Sequence, residues 1–315
     1  MNYILLLIAL FGVELAYFRV ANHFNIIDKP NERSSHTRIT LRGGGMVFYI
    51  GILLYFALEG YQYPWFFLGL TLISLVSFAD DIQPQSNILR LIVHFTAMAL
   101  LFYQWGLFEL PWYYTLIALV VCTGILNAYN FMDGINGITG AYSLVIAGTL
   151  CYINLYQVPF VDIELIYAFI LALLVFNFFN FRKNAKCFAG DVGAFSAAFL
   201  VVFLLGQLII KTGDFSYIVL LTVYGVDTIL TIIHRLILKE NIFEAHRKHA
   251  FQIMANELKI SHIKVSMFYA ILQAVIVIGF FAIKEYSYLY LGVVILILSI
   301  GYVLFKKRYF RLHEN

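Results

Sequence analysis

Long apolar runs separated by short polar gaps dominate the pattern of this chain. A helix that spans a bilayer needs about 20 mostly apolar residues. The runs are continuous and do not alternate apolar and polar positions, so they predict helices and not the strands of a membrane barrel. We predict eleven spanning helices, with ten as the alternative, over residues 2–18, 44–58, 64–79, 88–105, 112–129, 138–156, 163–180, 193–210, 216–237, 265–283 and 288–305.

The composition also indicates a membrane protein. Hydrophobic residues make up 62% of the 315-residue chain, and charged residues make up only 12%. A soluble domain has about 25% charged residues, so this chain lacks the polar surface that water would require and needs lipid as its solvent. No linker or low-complexity segment divides the sequence, and we predict a single all-α, polytopic membrane domain over residues 1–315.

Two features that could suggest secretion are weak. The first apolar run has no basic residue before it, and Arg19 follows it, so we interpret it as the first spanning helix and not as a signal peptide. Cys122, Cys151 and Cys187 have neither disulfide nor metal-ligand spacing, and we expect reduced, mostly buried thiols.

The polar motifs all fall in alternate gaps. Because successive spanning helices reverse direction, alternate gaps lie on the same side of the membrane. Of the 21 Lys and Arg residues, only Lys211 and Lys284 fall in the other gaps, which predicts a cytoplasmic motif face and an external N-terminus. The gaps that carry motifs are Lys29–Arg42, Asp80–Asp81, Asn127–Asn136, Arg182–Asp191 and Arg235–Lys264.

The first motif-bearing gap combines basic residues with three glycines. Glycines at the start of a helix let backbone N–H groups approach an anion closely, so we expect an anion-binding loop. The alternative is an ordinary positively charged loop with a flexible helix start. The candidate substrate-binding residues of this gap are Lys29, Arg33, His36 and Arg42.

The second gap begins with two adjacent aspartates, Asp80 and Asp81, at the end of an apolar helix. Adjacent carboxylates repel each other, and they oppose the helix dipole at a C-terminus. A cation between them removes both penalties, and Mg²⁺ prefers carboxylate and water oxygens and often bridges substrate phosphates. The pair therefore favours a metal or phosphate site over the alternative, a solvated helix end.

The third gap repeats amide and carboxylate side chains every three residues, at Asn127, Asn130, Asp133 and Asn136. Residues three apart share a helix face. Such a row suits a ligand with many donors and acceptors, and the alternative is hydrogen bonding between helices.

The last two motif-bearing gaps carry Asp191 between two glycines near Lys186, and the cluster His246, Arg247 and His249. An aspartate at a helix start is also an ordinary N-cap. The basic cluster suits phosphate, while zinc is poorly supported because no third soft ligand accompanies the two histidines. For Asp227, inside the ninth apolar run, a structural role is the favoured interpretation.

Taken together, these motifs resemble the polyprenyl-phosphate N-acetylhexosamine-1-phosphate transferase superfamily, from Asp28 to about Gln252. The specific segments are Asp80-Asp81, the asparagine-rich stretch that ends at Gly137, and Gly190-Asp191-Val192-Gly193. The resemblance implies transfer of N-acetylhexosamine-1-phosphate from a UDP-sugar to undecaprenyl phosphate, with release of UMP. It also implies Mg²⁺, with Mn²⁺ as a substitute, and a role in starting cell-envelope polysaccharides such as O-antigen at the bacterial inner membrane.

The motifs and the resemblance together assign roles to named residues. We expect the aspartate pair to serve the lipid phosphate and the metal, and the basic cluster to contact the donor diphosphate. The expected partners are the two substrates and membrane lipid, without nucleic acid, and a homodimer remains open. The candidate catalytic residues are Asp80, Asp81, Asp133, His246, Arg247 and His249, the candidate substrate-binding residues include Asn127, Asn130, Asn136 and Lys186, and the candidate metal ligands are Asp191 and Asp81.

The chain departs from the family pattern at three places. Ile39 and Leu41 stand where prolines are usual, and Asn136 replaces a common aspartate. The last loop lacks the three consecutive histidines of the muramyl-pentapeptide translocase branch, which argues for a simple UDP-sugar donor.

Two other functional classes remain as alternatives. A transporter or flippase of a lipid-linked or anionic sugar would place its polar groups at mid-membrane on broken helices. A structural membrane subunit would not need polar clusters on one face. The motifs gather at one face, which favours the enzyme.

Overall fold

The computed structural model describes residues 1–30, 35–36, 38–242, 244 and 246–310. Within these residues it contains twelve α-helices, three short 3₁₀ helices and one two-stranded sheet. The helices are α1 Tyr3–His23, α2 Met46–Leu58, α3 Pro64–Ile82, α4 Asn87–Gln104, α5 Trp112–Met132, α6 Ile138–Tyr156, α7 Ile163–Asn180, α8 Gly190–Thr212, α9 Thr222–Ile237, α10 Ala250–Asn256, α11 His262–Ala282 and α12 Ser287–Tyr309.

Each of the predicted apolar segments is helical, which confirms the all-α polytopic class. In the described part of the chain, 10 helical segments are long and apolar enough to cross a membrane. The helix α2 has 13 residues and is shorter. Which side of the membrane each end occupies stays a prediction.

Local sequence signals set several helix ends. Pro64 occupies the first turn of α3, where its missing N–H costs nothing. The side chains of Ser86 and Asp162 cap α4 and α7 by accepting the backbone N–H groups of Leu89 at 3.2 Å and Glu164 at 3.1 Å. At the end of α8, Gly213 has φ +68°, a conformation that glycine adopts without strain.

The helix α8 forms the centre of the bundle. Every residue from Val192 to Leu205 is buried, as expected for a helix that is apolar all round. Its closest neighbours are α3 and α5, and α2 and α6 also contact it. By contrast, α12 buries only Ser287, Val294, Tyr302 and Lys306 and lies at the edge of the bundle. The start of α8, which carries Asp191, is therefore fixed by helices on several sides.

A two-stranded sheet and a short helix were not predicted. Strand β1 (Ile27–Asp28) pairs antiparallel with strand β2 (Thr40–Leu41), and Leu41 also bridges to Cys187. A two-residue strand leaves no alternating pattern to detect. The short helix α10 lies in the polar gap after α9, where no apolar run marked it. The strands join the first motif-bearing loop to the segment before α8.

Candidate active site

A carboxylate from one helix caps the start of another at the centre of the site. Asp81, near the end of α3, accepts the backbone N–H groups of Asp191 at 2.8 Å and Val192 at 3.0 Å. Ala189, which precedes α8, has no side chain able to cap it. A helix N-terminus has unsatisfied N–H groups and a partial positive charge, so it favours this anion. Asp81 thus acts as the cap, and the Asp191 side chain is not needed for capping.

Arg42 joins the two carboxylates. Its Nε lies 2.6 Å from Asp81 Oδ1, and a terminal nitrogen lies 3.3 Å from Asp191 Oδ1. Burial opposes the charge of Arg42, but the Asp81 and Asp191 carboxylates outweigh it and raise the pKa of the guanidinium. The centre therefore holds a permanent cation between two carboxylates.

The glycines after Arg42 allow close backbone packing on α8. A Cβ added to Gly45 would lie 2.2 Å from the Cα of Gly193, so any side chain would separate the two segments. The Gly44 and Gly45 N–H groups donate to the carbonyl oxygens of Phe188 and Ala189 at 2.9 and 3.0 Å. The expected role of these two N–H groups in anion binding is therefore wrong, because the protein backbone already uses them.

The two members of the aspartate pair point in different directions. The side chain of Asp81 is 0% exposed, whereas that of Asp80 is 11% exposed. Asp80 accepts from the Gln85 N–H at 2.7 Å and pairs with Arg90 at 3.3 Å. Asp80 also lies against Asp191, and Arg90 is 3.9 Å from that carboxylate. Two neighbouring residues thus have separate tasks, one enclosed and one accessible.

A polar cavity of about 360 Å³ opens beside this centre. It brings together predicted residues from three separate gaps of the sequence. These are His36, Arg42, Asn130, Asp133, Asn136 and Asp191.

Asp133 lines the cavity where α5 ends. One of its oxygens accepts the Thr139 hydroxyl at 2.6 Å. Burial raises the pKa of this carboxyl to about 6, and the nearby Asp191 adds to the effect, whereas Thr139 and Arg42 oppose it. Asp133 is therefore ionised at neutral pH and becomes protonated in mild acid.

Asn136 lies between this cavity and an adjoining one of about 680 Å³, which Lys186 also lines. Its amide nitrogen donates to the carbonyl oxygens of Arg182 at 3.0 Å and Lys183 at 3.3 Å. Among the described residues, its Oδ1 is buried and has no hydrogen-bond partner. The Phe188 ring, 4.8 Å from the His36 ring, lines both cavities. An acceptor beside an aromatic ring suits a planar, hydrogen-bonding group.

Sequence reasoning missed several residues of this site, among them Arg90, Phe188, Gln252 and His262. Arg90 stood alone in its helix with no motif around it. Gln252 lies in the first turn of α10 and His262 begins α11, both after the basic cluster, and neither residue type signals function by itself. Phe188 could have been found as the aromatic residue beside Gly190-Asp191.

The basic loop, residues 239–249, is held by two buried charged side chains of α9, Asp227 and Arg235. Asp227 Oδ1 accepts the Ala250 N–H at 3.1 Å and lies 3.2 Å from Nδ1 of His249. Arg235, also buried, donates to the carbonyl oxygens of Ile242 and Glu244 at 3.2 and 3.1 Å. The structural role expected for Asp227 agrees with these contacts.

Within the described residues, His246, Arg247 and His249 do not line either cavity. The His246 and His249 rings lie 6.4 and 6.3 Å from the ring of Phe131, the residue after Asn130. Burial and the neighbouring His249 lower the pKa of His246 to about 3, so this ring is neutral at pH 7. These three residues lie next to the cavity wall and do not line the cavity.

Two predicted residues lie elsewhere, and a third is not among the residues that the structure describes. Lys29 is exposed and lines neither cavity. Asn127 is also exposed, and its amide donates back to the carbonyl oxygen of Thr123 at 3.0 Å. Arg33 lies outside the described residues. Their candidate roles in substrate binding stay predictions.

The fold and this site can be compared with known proteins. Residues 63–209 match the family model of glycosyl transferase family 4. The probable undecaprenyl-phosphate N-acetylglucosaminyl 1-phosphate transferase of Bacillus subtilis (strain 168) is 25% identical over 252 residues, which cover 73% of this chain and 70% of that protein. The undecaprenyl-phosphate alpha-N-acetylglucosaminyl 1-phosphate transferase of Escherichia coli (strain K12) is 27% identical, over 64% of this chain and 60% of that protein.

A more distant branch is also similar. The phospho-N-acetylmuramoyl-pentapeptide-transferase of Thermotoga neapolitana is 32% identical over 154 residues, 46% of this chain and 47% of that protein. These matches confirm the expected superfamily and the expected enzyme class, a phosphotransferase. The segment 63–209 contains Asp80, Asp81, Asp133, Asp191 and most of α8. The chain is therefore similar to glycosyl transferase family 4 over residues 63–209, and to polyprenyl-phosphate sugar-1-phosphate transferases over a larger part of its length.

Proposed function

We propose that the protein transfers N-acetylhexosamine-1-phosphate from a UDP-sugar to undecaprenyl phosphate. An oxygen of the lipid phosphate attacks the sugar-bearing phosphorus of the donor. The bond from that phosphorus to the bridging oxygen breaks, and UMP leaves with that oxygen. The products are undecaprenyl-diphospho-N-acetylhexosamine and UMP. Because the transferred group is a phosphoryl ester, catalysis needs in-line positioning and charge neutralisation.

The observation that carries this proposal is the charged centre beside the polar cavity. Arg42 lies 3.3 Å from Asp191, and both residues line the cavity. A diphosphate in the cavity would meet a fixed cation there, in a partly enclosed site where electrostatic stabilisation is strong. Asp81 holds Arg42 and the start of α8 in place and has no free position for a substrate.

The donor base fits the junction of the two cavities. Phe188 offers an aromatic face, and base stacking of this kind contributes about 1–3 kcal/mol. The buried Oδ1 of Asn136 is an acceptor that the imide N–H of uracil can satisfy. The amide nitrogen of Asn136 is hydrogen-bonded to two carbonyl oxygens, which fix the orientation of the side chain. The acceptor oxygen is therefore in place before the UDP-sugar binds.

The lipid phosphate fits the opposite side of Asp191, at Asp80 and Arg90. Asp80 is the accessible member of the aspartate pair, so it is the member that can orient the nucleophile. Arg90 lies 3.3 Å from Asp80 and 3.9 Å from Asp191, and its guanidinium can bind a phosphate in a bidentate manner. A phosphate monoester is largely ionised at pH 7, because its second pKa is about 6. Asp80 therefore orients the phosphate more than it deprotonates it.

The carboxylates at this centre fit a divalent cation in part. Asp191, 18% exposed, and Asp80 lie against each other, as two ligands of one cation would. Asp81 fits less well, because Arg42 and two N–H groups already occupy its oxygens. Among the described residues, no three acidic, histidine or cysteine side chains are grouped for a metal. Mg²⁺ often binds one or two carboxylates and completes its shell with substrate phosphates and water, and it neutralises charge there.

The test is UMP release by the purified chain in lipid nanodiscs. We expect release only when a UDP-N-acetylhexosamine, undecaprenyl phosphate and Mg²⁺ are all present. A panel of UDP-N-acetylglucosamine and its epimers would identify the sugar. A transporter of lipid-linked sugar would release no UMP under any of these conditions, and that result would overturn the proposal.

The proposed setting is the bacterial cytoplasmic membrane, where the product would start a cell-envelope polysaccharide. The large excess of basic residues in the motif-bearing gaps supports a cytoplasmic site, since the UDP-sugar is a cytoplasmic donor.

A further inference from the structure

The helix α12 is sparsely packed, yet it carries a buried lysine. It lies after the segment matched by the family model, which ends at residue 209. Lys306, in its last turn, is only 6% exposed. A buried ammonium in a membrane helix is costly unless it has partners, and such residues commonly have a function.

The partner of Lys306 is the backbone of the basic loop. Its ammonium donates to the carbonyl oxygen of Lys248 and lies 5.5 and 4.7 Å from the ring centroids of Tyr302 and Phe310. Within the described residues Lys306 forms no salt bridge, and its side-chain hydrogen bond connects it to the loop backbone. Lys248 lies between Arg247 and His249, two candidate donor-binding residues.

A second chain of contacts runs from α12 to the next loop residue. The hydroxyls of Tyr302 and Thr231 lie 2.7 Å apart, and Thr231 donates to Asp227 at 3.2 Å. Asp227 in turn bonds the Ala250 N–H at 3.1 Å and contacts His249. The end of α12 therefore reaches two consecutive residues, Lys248 and His249, by independent routes.

The position of the loop also affects the wall of the cavity. Ala250 begins α10, and Gln252 follows it by two residues and lines the cavity. The Gln252 side chain accepts the His249 N–H at 3.2 Å, so its position depends on the position of His249. A shift of Lys248 and His249 would move Gln252 at the cavity wall.

We propose that the site end of α12 positions the basic loop for donor binding, with Lys306 as the positioning residue. This inference rests on the proposed transferase function, because the donor is the ligand that the loop would help to hold. Lys306 touches no reacting group, so its loss should weaken donor binding and leave the chemical step largely intact. A lysine that only satisfied its own burial could be replaced by an apolar residue without any effect on the loop.

The variant that separates these cases is Lys306→Met, which keeps an unbranched apolar chain and removes the donor group. Lys307→Met is the matched control, because Lys307 is the next residue along the helix and is exposed. Lys306→Arg keeps the charge and a hydrogen-bond donor, so its amide exchange and donor KM should stay close to those of the parent.

The experiment measures amide hydrogen exchange of residues 246–256 in the full chain in nanodiscs, together with donor and acceptor titrations. For Lys306→Met we expect at least about tenfold faster exchange in this segment and about a tenfold rise in donor KM, with kcat and acceptor KM within about threefold of the parent. Lys307→Met should match the parent in every measurement.

Unchanged exchange in Lys306→Met would overturn the inference, even if the melting temperature fell. Faster exchange with an unchanged donor KM would also overturn it, since the loop would then move without consequence for the donor. If the parent chain released no UMP from any UDP-sugar, the proposed function would fail, and the exchange comparison would still decide whether Lys306 holds the loop.

Discussion

The aspartate centre and the basic loop lie at the same end of the bundle, but they are held in different ways. At the centre, Asp81 contacts the start of the buried helix α8 through two backbone N–H groups at 2.8 and 3.0 Å. In the basic loop, the charged side chains of Arg235 and Lys306 reach from helices to backbone carbonyl oxygens. The aspartate centre consists of packed helix ends, and the basic loop is held by side chains that reach it from neighbouring helices.

This difference suggests a division of labour. Helix ends packed on several sides hold their side chains closely, as the positioning of reacting groups requires. A loop supported by a few side chains can adjust to a ligand and close on it. We therefore expect substitutions at the centre to change turnover and substitutions around the loop and cavity wall to change donor affinity.

The largest effect is expected at Asp191. Asp191→Asn should lower kcat by at least about a hundredfold, because it removes a charge at the site of phosphoryl transfer. The melting temperature should stay close to the parent value, since Asp81 and not Asp191 caps α8. Asp214→Asn, just beyond the other end of α8, is the control and should keep kcat within about threefold. A near-normal kcat for Asp191→Asn would remove Asp191 from the site.

Asp80 and Asp81 should differ in their contribution to stability. Asp81→Asn should lower both kcat and the melting temperature, because it weakens the cap of α8 and leaves Arg42 partly uncompensated. Loss of a helix cap alone costs about 0.5–2 kcal/mol of stability. Asp80→Asn should lower kcat with little change in the melting temperature. Thermal unfolding of the two purified variants checks this, and equal destabilisation by both would contradict the separate tasks.

A smaller effect is expected at the cavity wall. Asn136→Ala should raise donor KM by roughly tenfold, the equivalent of about 1–1.5 kcal/mol for one hydrogen bond, with kcat largely retained. Asn87→Ala, an exposed amide at the start of α4, is the control. The measurement is donor titration at saturating undecaprenyl phosphate. An unchanged KM would exclude the proposed base contact.

The smallest effect concerns pH. The pKa of Asp133 is raised to about 6, chiefly by burial, so the carboxylate becomes protonated as the pH falls below that value. The protonated form loses acceptor capacity, so we expect donor affinity to decrease from pH 7 to pH 5. Calorimetric titration of the donor without lipid phosphate measures this, since the diphosphate diester does not titrate in that range. Asp133→Asn should show a clearly smaller decrease in affinity between pH 7 and pH 5 than the parent, and an unchanged slope would assign the group elsewhere.

Much of the fold was predictable from the sequence, because the apolar runs were continuous and each one became helical. The motif order also predicted that distant gaps meet, as His36, Asp133 and Asp191 do in one cavity. The pattern could not show which way each side chain points. Asp80 and Asp81 are equivalent in sequence, and only the packing of α3 on α8 makes one a cap and the other accessible.

The parts that were missed depend on contacts between distant segments. The glycines after Arg42 suggested anion binding by their N–H groups, but the approach of Gly193 to Gly45 explains why no side chain fits there. Lys306 looked like one of several basic residues that follow a last helix. Its burial follows from the fold of the loop over α12, which no local pattern records.

The most direct test of the division between centre and cavity is one pair of donor titrations. Asp80→Asn and Asn136→Ala are assayed for UMP release at saturating undecaprenyl phosphate, over the same range of donor concentrations. We predict a much lower kcat with an almost unchanged donor KM for Asp80→Asn, and a raised donor KM with an almost unchanged kcat for Asn136→Ala. The reverse pattern, in which the aspartate variant loses donor affinity and the asparagine variant loses turnover, would contradict the division.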